Sequence, residues 1–378
     1  MKKTLIAVAA LSAMAASAMA ANVTVYGKID QGLQVQSSKT GNADRTTTWK
    51  GTSGISSGSR WGLKGTEEIA DGYKVGFVFE SGFDGMDGKS GQGSRLFGRD
   101  AFLTLGTPFG TLTVGRTGML SDGCTGDIIA GPASPFGTSY SLAATTKNTF
   151  GDILGGRTDR AVRYVSPKFA GVQVHAEYAN MTYSETKFVE HKLENGNVVK
   201  VEETASKVGA TASTKQRYGG IGVSYANGPF YAAVAAETIR QAALNSAKKD
   251  PKFFSFAANY DFGVAKVFAG YQYAKDTQPA EKILGQKVGV MKKYNAGTLG
   301  VSAPVASGTL MASVAYRKGD ITDTKDLKQM TGALGYKYSL SKRTYLYTDV
   351  AYSELQLKET TKTKTKTTEF NVGICHNF

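Results

Sequence analysis

The stretch Leu310-Met311-Ala312-Ser313-Val314-Ala315-Tyr316-Arg317 reads with a period of two. An extended chain sends successive side chains to opposite sides. Leu310, Ala312, Val314 and Tyr316 therefore share one face, and Met311, Ser313, Ala315 and Arg317 share the other. The same alternation runs from Val23 to Asp30, where Val23, Val25, Gly27 and Ile29 oppose Thr24, Tyr26, Lys28 and Asp30. It recurs from Tyr73 to Glu80 and from Val172 to Ala179. Each segment is a strand with one apolar and one polar face, and the chain reads as all-β.

A soluble sandwich alternates as well, but two features point to a barrel in a membrane. Tight turns such as Ala70-Asp71-Gly72, Pro108-Phe109-Gly110, Phe169-Ala170-Gly171, Asn227-Gly228-Pro229, Asp261-Phe262-Gly263 and Ser307-Gly308 alternate with long polar connections. The long ones lie near residues 36–57, 81–95, 119–160, 181–216, 240–251, 276–292, 318–328 and 356–366. Outer-membrane barrels have this asymmetry, with short periplasmic turns on one rim and long extracellular loops on the other. Aromatic residues also gather at strand ends, as at Tyr271/Tyr273 and Tyr336/Tyr338, where an interfacial girdle belongs.

The segments between these connections number sixteen, beginning near residues 22, 58, 73, 96, 111, 161, 172, 217, 230, 252, 264, 293, 309, 329, 344 and 367. An even count allows the first and last strands to pair antiparallel, so residues 22–30 and 367–378 are expected to close the sheet. Eight strands would fill their own interior, whereas sixteen leave an aqueous lumen. The predicted fold is a 16-stranded antiparallel transmembrane β-barrel. Its charged face points inward, because a Lys or Arg against mid-bilayer lipid costs roughly 2–4 kcal/mol.

Composition fits this reading. The chain has 45 glycines, 8 prolines, 19 tyrosines and 18 phenylalanines, the signature of many strands joined by turns. Its hydrophobic fraction of 41% is what a wall with one lipid-facing side requires. No window approaches the roughly 18 consecutive apolar residues of a spanning helix. At the start, Lys2 and Lys3 form a basic region, Leu5 to Ala16 an apolar one, and Ala18-Met19-Ala20 a cleavage site. Residues 1–20 therefore read as a signal peptide and 21–378 as one exported barrel domain. Removing Lys2 and Lys3 takes the net charge from +14 to +12. Export removes nucleic acid as a partner of this basic chain and leaves anionic lipid and anionic solutes. Cys124 and Cys375 make no disulfide framework and are read as unpaired thiols, with pairing left open.

Stretches along the whole chain resemble the trimeric general porins of betaproteobacteria and Neisseria, the Gram-negative porin family. They are Val23-Thr24-Val25-Tyr26-Gly27, Ser57-Gly58-Ser59-Arg60-Trp61-Gly62-Leu63-Lys64-Gly65, Gly98-Arg99-Asp100-Ala101-Phe102 and Phe109-Gly110-Thr111-Leu112-Thr113-Val114-Gly115-Arg116. Further along come Val162-Arg163-Tyr164-Val165-Ser166-Pro167, Leu340-Ser341-Lys342-Arg343-Thr344 and Val372-Gly373-Ile374-Cys375-His376-Asn377-Phe378. The resemblance implies a homotrimer in the outer membrane of a Gram-negative bacterium. It also implies passive diffusion of small hydrophilic solutes and ions, no cofactor, and Phe378 as the signal read by the outer-membrane assembly machinery.

In similar porins the third extracellular loop folds inward and narrows the channel. Here the segment 119–160 is far longer than a connection with no other role. Thr125-Gly126-Asp127-Ile128 resembles the start of that loop, and Pro135-Phe136-Gly137 resembles its Pro-Glu-Phe-Gly-Gly element without the Glu. Without that Glu an acidic constriction does not simply transfer from the family; the candidate carboxylates are Asp122 and Asp127, with Asp152 and Asp159 as further candidates, and a solvated loop position is the alternative for each. Arg60, Arg99 and Arg163 match family positions on the cationic side, joined by Lys64 and Lys28. Arg60, Lys64 and Arg163 fall on polar faces. Arg99 shares a parity with Ala101, Leu103 and Leu105, so a bulge or a place at the strand end is expected. Lys74, Lys266 and Arg317 add inward charge against Asp30, Glu80 and Glu177. Such cationic lining predicts mild anion selectivity.

The rival readings are an outer-membrane enzyme, a plugged structural barrel and a substrate-specific channel. His175, His191 and His376 share no metal-ligand spacing, and no signature marks a catalytic triad, so neither metal nor enzyme is expected. Lys358 to Lys366 reads as a solvated loop tip; contact with lipopolysaccharide phosphates is the minor alternative.

Overall fold

A computed structural model of the protein describes residues 22–150, 156–180, 187–192, 198–203, 216–241, 249–277, 291–322, 325–358 and 362–378. The expected signal peptide, and Asp152, lie outside the described residues. The strands in chain order are β1 (Thr24–Thr40), β2 (Thr46–Ser53), β3 (Arg60–Ala70), β4 (Tyr73–Gly82), β5 (Asp100–Thr107), β6 (Gly110–Gly118), β7 (Arg157–Val165) and β8 (Val172–Asn180). Then come β9 (Lys187–Lys192), β10 (Val198–Glu203), β11 (Gln216–Asn227), β12 (Phe230–Gln241), β13 (Lys252–Asp261), β14 (Lys266–Lys275) and β15 (Lys293–Val305). The last four are β16 (Gly308–Thr322), β17 (Lys325–Ser339), β18 (Thr344–Lys358) and β19 (Lys362–Asn377).

β9 and β10 form a separate hairpin, and the other strands form one antiparallel sheet. The upper part of β1 pairs with β2 from Gln31↔Ser53 to Ser38↔Thr46. Its lower part pairs with β3 from Thr24↔Lys64 to Lys28↔Arg60. β2 and β3 thus make one interrupted stave, and the ring has sixteen positions. It closes as expected, with β1 against β19 from Lys28↔Asn377 to Thr40↔Thr365. Closure gives every strand two neighbours, the condition for a sheet in hydrocarbon.

Burial follows the period of two, inverted relative to a soluble protein. Val314 on β16 is 51% exposed on the outer face, while Ser313 and Ala315 beside it are buried inward. Leu299, Ile221 and Met330 are likewise exposed outward on β15, β11 and β17.

The structure differs from the sequence reading at three outer loops. Residues expected as connections near 36–57, 318–328 and 356–366 are largely strand: β1 runs to Thr40, β16 to Thr322 and β18 to Lys358. These segments are hydrophilic but still alternate, and hydroxyl pairs knit them above the apolar band. Ser38 and Thr367 lie 3.2 Å apart and Thr40 and Thr365 3.0 Å. Hydrophilicity correlates with loops without causing them; β-branched Thr suits an extended wall. A second difference is the break between β2 and β3. Gly54 to Ser59 leave the wall and turn into the lumen around Asp30, which accepts from the Ser57 N–H (2.7 Å), the Ser56 hydroxyl and the Tyr347 hydroxyl (2.6 Å).

Placing a cation on the outer face tests this assignment. Val314→Arg, at the middle of β16, is expected to lower unfolding stability in lipid bilayers by about 2–4 kcal/mol, measured by reversible denaturant titration.

Candidate pore constriction

The third outer connection, between β6 and β7, folds into the barrel as expected and carries an apolar stripe. Met119, Leu120, Ile129 and Ala133 are fully buried in a cluster against the inner wall. A wall lined by large side chains would have no room for a loop. A track of inward glycines provides it. A Cβ built on Gly222 would lie 2.7 Å from Ile128 Cδ1, and one on Gly270 would lie 2.7 Å from Ala133 Cβ. On Gly300 it would lie 2.5 Å from Pro135 Cδ, and on Gly335 2.6 Å from Phe136 Cε1. The missing side chains of β11, β14, β15 and β17 form the groove in which the loop lies.

Polar groups of the wall then tie the loop backbone down, as buried polar groups must be tied. Tyr231 donates to the Ile128 carbonyl (2.9 Å) and Asn259 to the Pro132 carbonyl (2.9 Å). The Leu142 N–H donates to Glu369 (2.9 Å), and the Tyr140 N–H donates to the Ile55 carbonyl. The last contact joins the loop to the inturned residues 54–59, so the lumen is narrowed from two sides. Phe136, Tyr140, Ile55 and Tyr347 pack together there.

Between the two sides is an open cavity of about 450 Å³ bordered by Lys50, Arg99 and Arg157 of the wall and by Asp122, Cys124 and Lys147 of the loop. Arg99 binds Glu80 (2.5 Å), which also lies 3.6 Å from Arg60 and accepts from Tyr26 (3.0 Å). Arg157 donates to the Arg99 carbonyl (2.7 Å). Beside them Arg60 (2.6 Å) and Lys28 (3.1 Å) both donate to the Ser57 hydroxyl. Lys64 stands 5.1 Å from the Tyr26 ring centre. Arg99 precedes β5, which explains its awkward parity in the sequence.

Three of the residues named from sequence are placed differently from expectation. Arg163 does not border the cavity; it is 4% exposed and paired with Glu177 (Nε to Oε2, 2.8 Å). Its guanidinium also donates to the Thr125 carbonyl (3.0 Å) and the Gly118 carbonyl, so it anchors the base of the loop. A Cβ on Gly126 would overlap that guanidinium, which accounts for the glycine there. Asp127 does not face the arginines either. Its carboxylate caps its own loop, accepting from the N–H groups of Ile129 (2.9 Å), Ala130 (2.9 Å) and Gly131 (2.6 Å). Burial pushes its carboxyl pKa up, and those N–H groups oppose the rise. Asp159 binds Arg95 (2.8 Å) and Arg116 (2.6 Å) instead. Asp122 does border the cavity, but an ion pair with Lys147 neutralises it.

Three cations at the cavity went unnamed from sequence. Lys50 alternates with Trp49 in a stretch that its hydrophilicity marks as a connection but that forms β2, and Arg157 falls within the span 119–160 although it opens β7. Lys147 is the sole basic residue between positions 119 and 156, a signal that could have marked it. Cys124 and Cys375 are both free thiols, which agrees with the sequence reading. Burial raises the Cys124 pKa, and the positive charge of Arg157 and Arg99 draws it back. Phe378 lies at the closing seam, exchanging backbone hydrogen bonds of 3.0 Å with Gly27.

A family model described as Gram-negative porin matches residues 7–356. An outer membrane porin protein of Bordetella pertussis is 30% identical, covering 100% of both chains. Outer membrane porin protein 32 of Delftia acidovorans is 31% identical over 93% of this chain and 89% of its own. Among solved structures, the anion-selective porin from Comamonas acidovorans has a TM-score of 0.66 at 24% identity, covering 95% of this chain and 100% of that one.

Two substitutions test the seat of the loop. Gly270→Val should displace Ala133 and Phe150 and raise single-channel conductance while lowering the melting temperature. Arg163→Met leaves Glu177 buried without its partner and should cost about 3–5 kcal/mol of stability, read by denaturant unfolding.

Proposed function

The chain belongs to the Gram-negative porin family, and from that premise we propose that its lumen is a weakly anion-selective diffusion pore without a catalytic centre. It is an outer-membrane, multi-pass β-barrel that passes small hydrophilic solutes and ions through water. The observation that carries the selectivity is the imbalance at the narrowing. Lys50, Arg99 and Arg157 border the cavity on the wall side, Arg60 and Lys28 meet at the Ser57 hydroxyl close by, and the one loop carboxylate bordering the cavity is held by Lys147. Glu80 offsets part of the Arg99 and Arg60 charge and leaves a net positive wall.

Fixed cations beside low-dielectric walls focus the field and concentrate anions. The steps are distributed, so an anion passes from one guanidinium or ammonium to the next without a deep well that would slow its exit. Salt weakens the effect, since the Debye length is about 8 Å at physiological ionic strength. The name of the Comamonas relative supports the same sign of selectivity.

The family also supports a homotrimer. Its contact fits the outer face of β3 to β6, where Trp61, Leu103 and Val114 are exposed and Trp61, Phe79 and Phe97 stack (ring centres 6.2 and 5.1 Å). Phe378, with its ring exposed at the seam, fits recognition by the assembly machinery.

Planar-bilayer recordings in a KCl gradient should give a reversal potential of the sign set by chloride. The triple variant K50Q/R99Q/R157Q should move it toward or past the non-selective value, and cation preference in the unaltered protein would sink the proposal. A chemical test uses Cys124, since Cys375 is 0% exposed. An anionic methanethiosulfonate should react faster than a cationic one at low salt, and the difference should shrink as salt is added.

A further inference from the structure

Two arginines of the inner wall are almost wholly removed from water, and their surroundings differ in one respect. Arg163 on β7 meets the Glu177 carboxylate and two backbone carbonyls. Arg317 on β16 is 3% exposed, and among the described residues no carboxylate faces it. Its guanidinium donates from Nη2 to Gln329 Oε1 (2.5 Å), and its central carbon lies 5.8 Å from the Tyr294 ring centre. The Nε–H is buried without an acceptor. Sequence alone gives Arg317 to the lumen as inward charge; burial withdraws it from the water there.

Strand register explains why no acid is near. The row through Arg317 runs from Gln272 on β14 through Ala296 on β15 to Arg317, Gln329 on β17 and Leu355 on β18. All five are buried, and the arginine alone is charged. Gln272 is already committed, accepting from the Tyr294 hydroxyl (2.5 Å) and donating to Ser255 (3.1 Å). On β16 itself the same face continues with Ala315 and Gly319, which bring no polar side-chain atom. Short residues thus flank the guanidinium along its strand and toward β15.

An arginine cannot shed its proton to escape burial. A buried charge without a counter-charge is strongly unfavourable, and a ring face or a neutral amide oxygen offsets less of it than an anion does. The counter-charge therefore comes from solution. It has to accept from the Nε–H, and it has to be small, because Tyr294, Gln329 and Leu355 around the site are at most 1% exposed. A monoatomic anion meets both conditions, and an organic acid meets only the first. We propose that Arg317 seats one halide-class anion, chloride in ordinary media, as a resident of the inner wall apart from the diffusion path.

The direct test is diffraction at the bromine edge from crystals of the full barrel grown in NaBr. An anomalous peak within hydrogen-bonding distance of Arg317 Nε is expected in the wild type and its loss in Arg317→Met. In detergent, the melting temperature should rise by roughly 2 °C per tenfold increase in chloride, as for a ligand held by the folded state alone. Ionic strength is kept constant with gluconate, an anion too large for the site. R317M should lose that rise, while K50Q/R99Q/R157Q, stripped of cations at the constriction, should keep it. Bromide at the constriction alone, a chloride response that survives in R317M or vanishes in the triple variant, or a melting temperature indifferent to chloride would overturn the proposal. Should R317M fail to fold, the wild-type bromide map and the triple variant still decide. A channel without anion preference would refute the selectivity reading and leave this inference standing.

Discussion

Hydrocarbon offers no hydrogen-bond partner, so each backbone N–H and C=O within it must be satisfied by the chain itself. In this protein the ring of strand pairings meets that demand, and its decisive seam is β1 against β19, which joins residues more than 300 positions apart. With the ring closed, each alternating segment has an inside and an outside. Val314 must meet lipid, and Arg317 must turn inward. The wide lumen follows from the number of staves and needs no further cause.

A wide lumen would select little, and the narrowing is built by subtraction. Glycines at 222, 270, 300 and 335 remove side chains from the inner wall, and the third loop lies where they are absent. The buried Arg163–Glu177 pair holds the loop at its base, and Glu369 holds it near Leu142. The inturned residues 54–59, organised by Asp30, meet it from the other side. Packing on both sides makes the loop part of the core.

Charge is arranged by the same geometry. Acids inside the barrel are mostly spent on structure: Glu177 on Arg163, Asp127 on loop N–H groups, Asp30 on the inturned segment. At the cavity the cations Lys50, Arg99, Arg157 and Lys147 outnumber the one carboxylate, Asp122.

Period-two patterning, turn chemistry and chain length were enough to establish from sequence an all-β barrel of sixteen staves and its closing strands, while the inward third loop was implied by the resemblance to porins. The staves and their closure are local or additive properties, and alternation writes them into every segment. Arg60 and Arg99 were legible because their stretches resemble the family's, and Lys28 and Lys64 because they stand on the polar faces of alternating segments. The roles of Arg163 and Asp127, and the presence of Lys50, Lys147 and Arg157 at the narrowing, were decided only in three dimensions. Whether a charged side chain faces water or is consumed by a partner depends on contacts between distant segments, such as Arg163 with Glu177 and Gly118. Alternation tells which side of a wall a residue is on, and only the folded loop tells what stands opposite it.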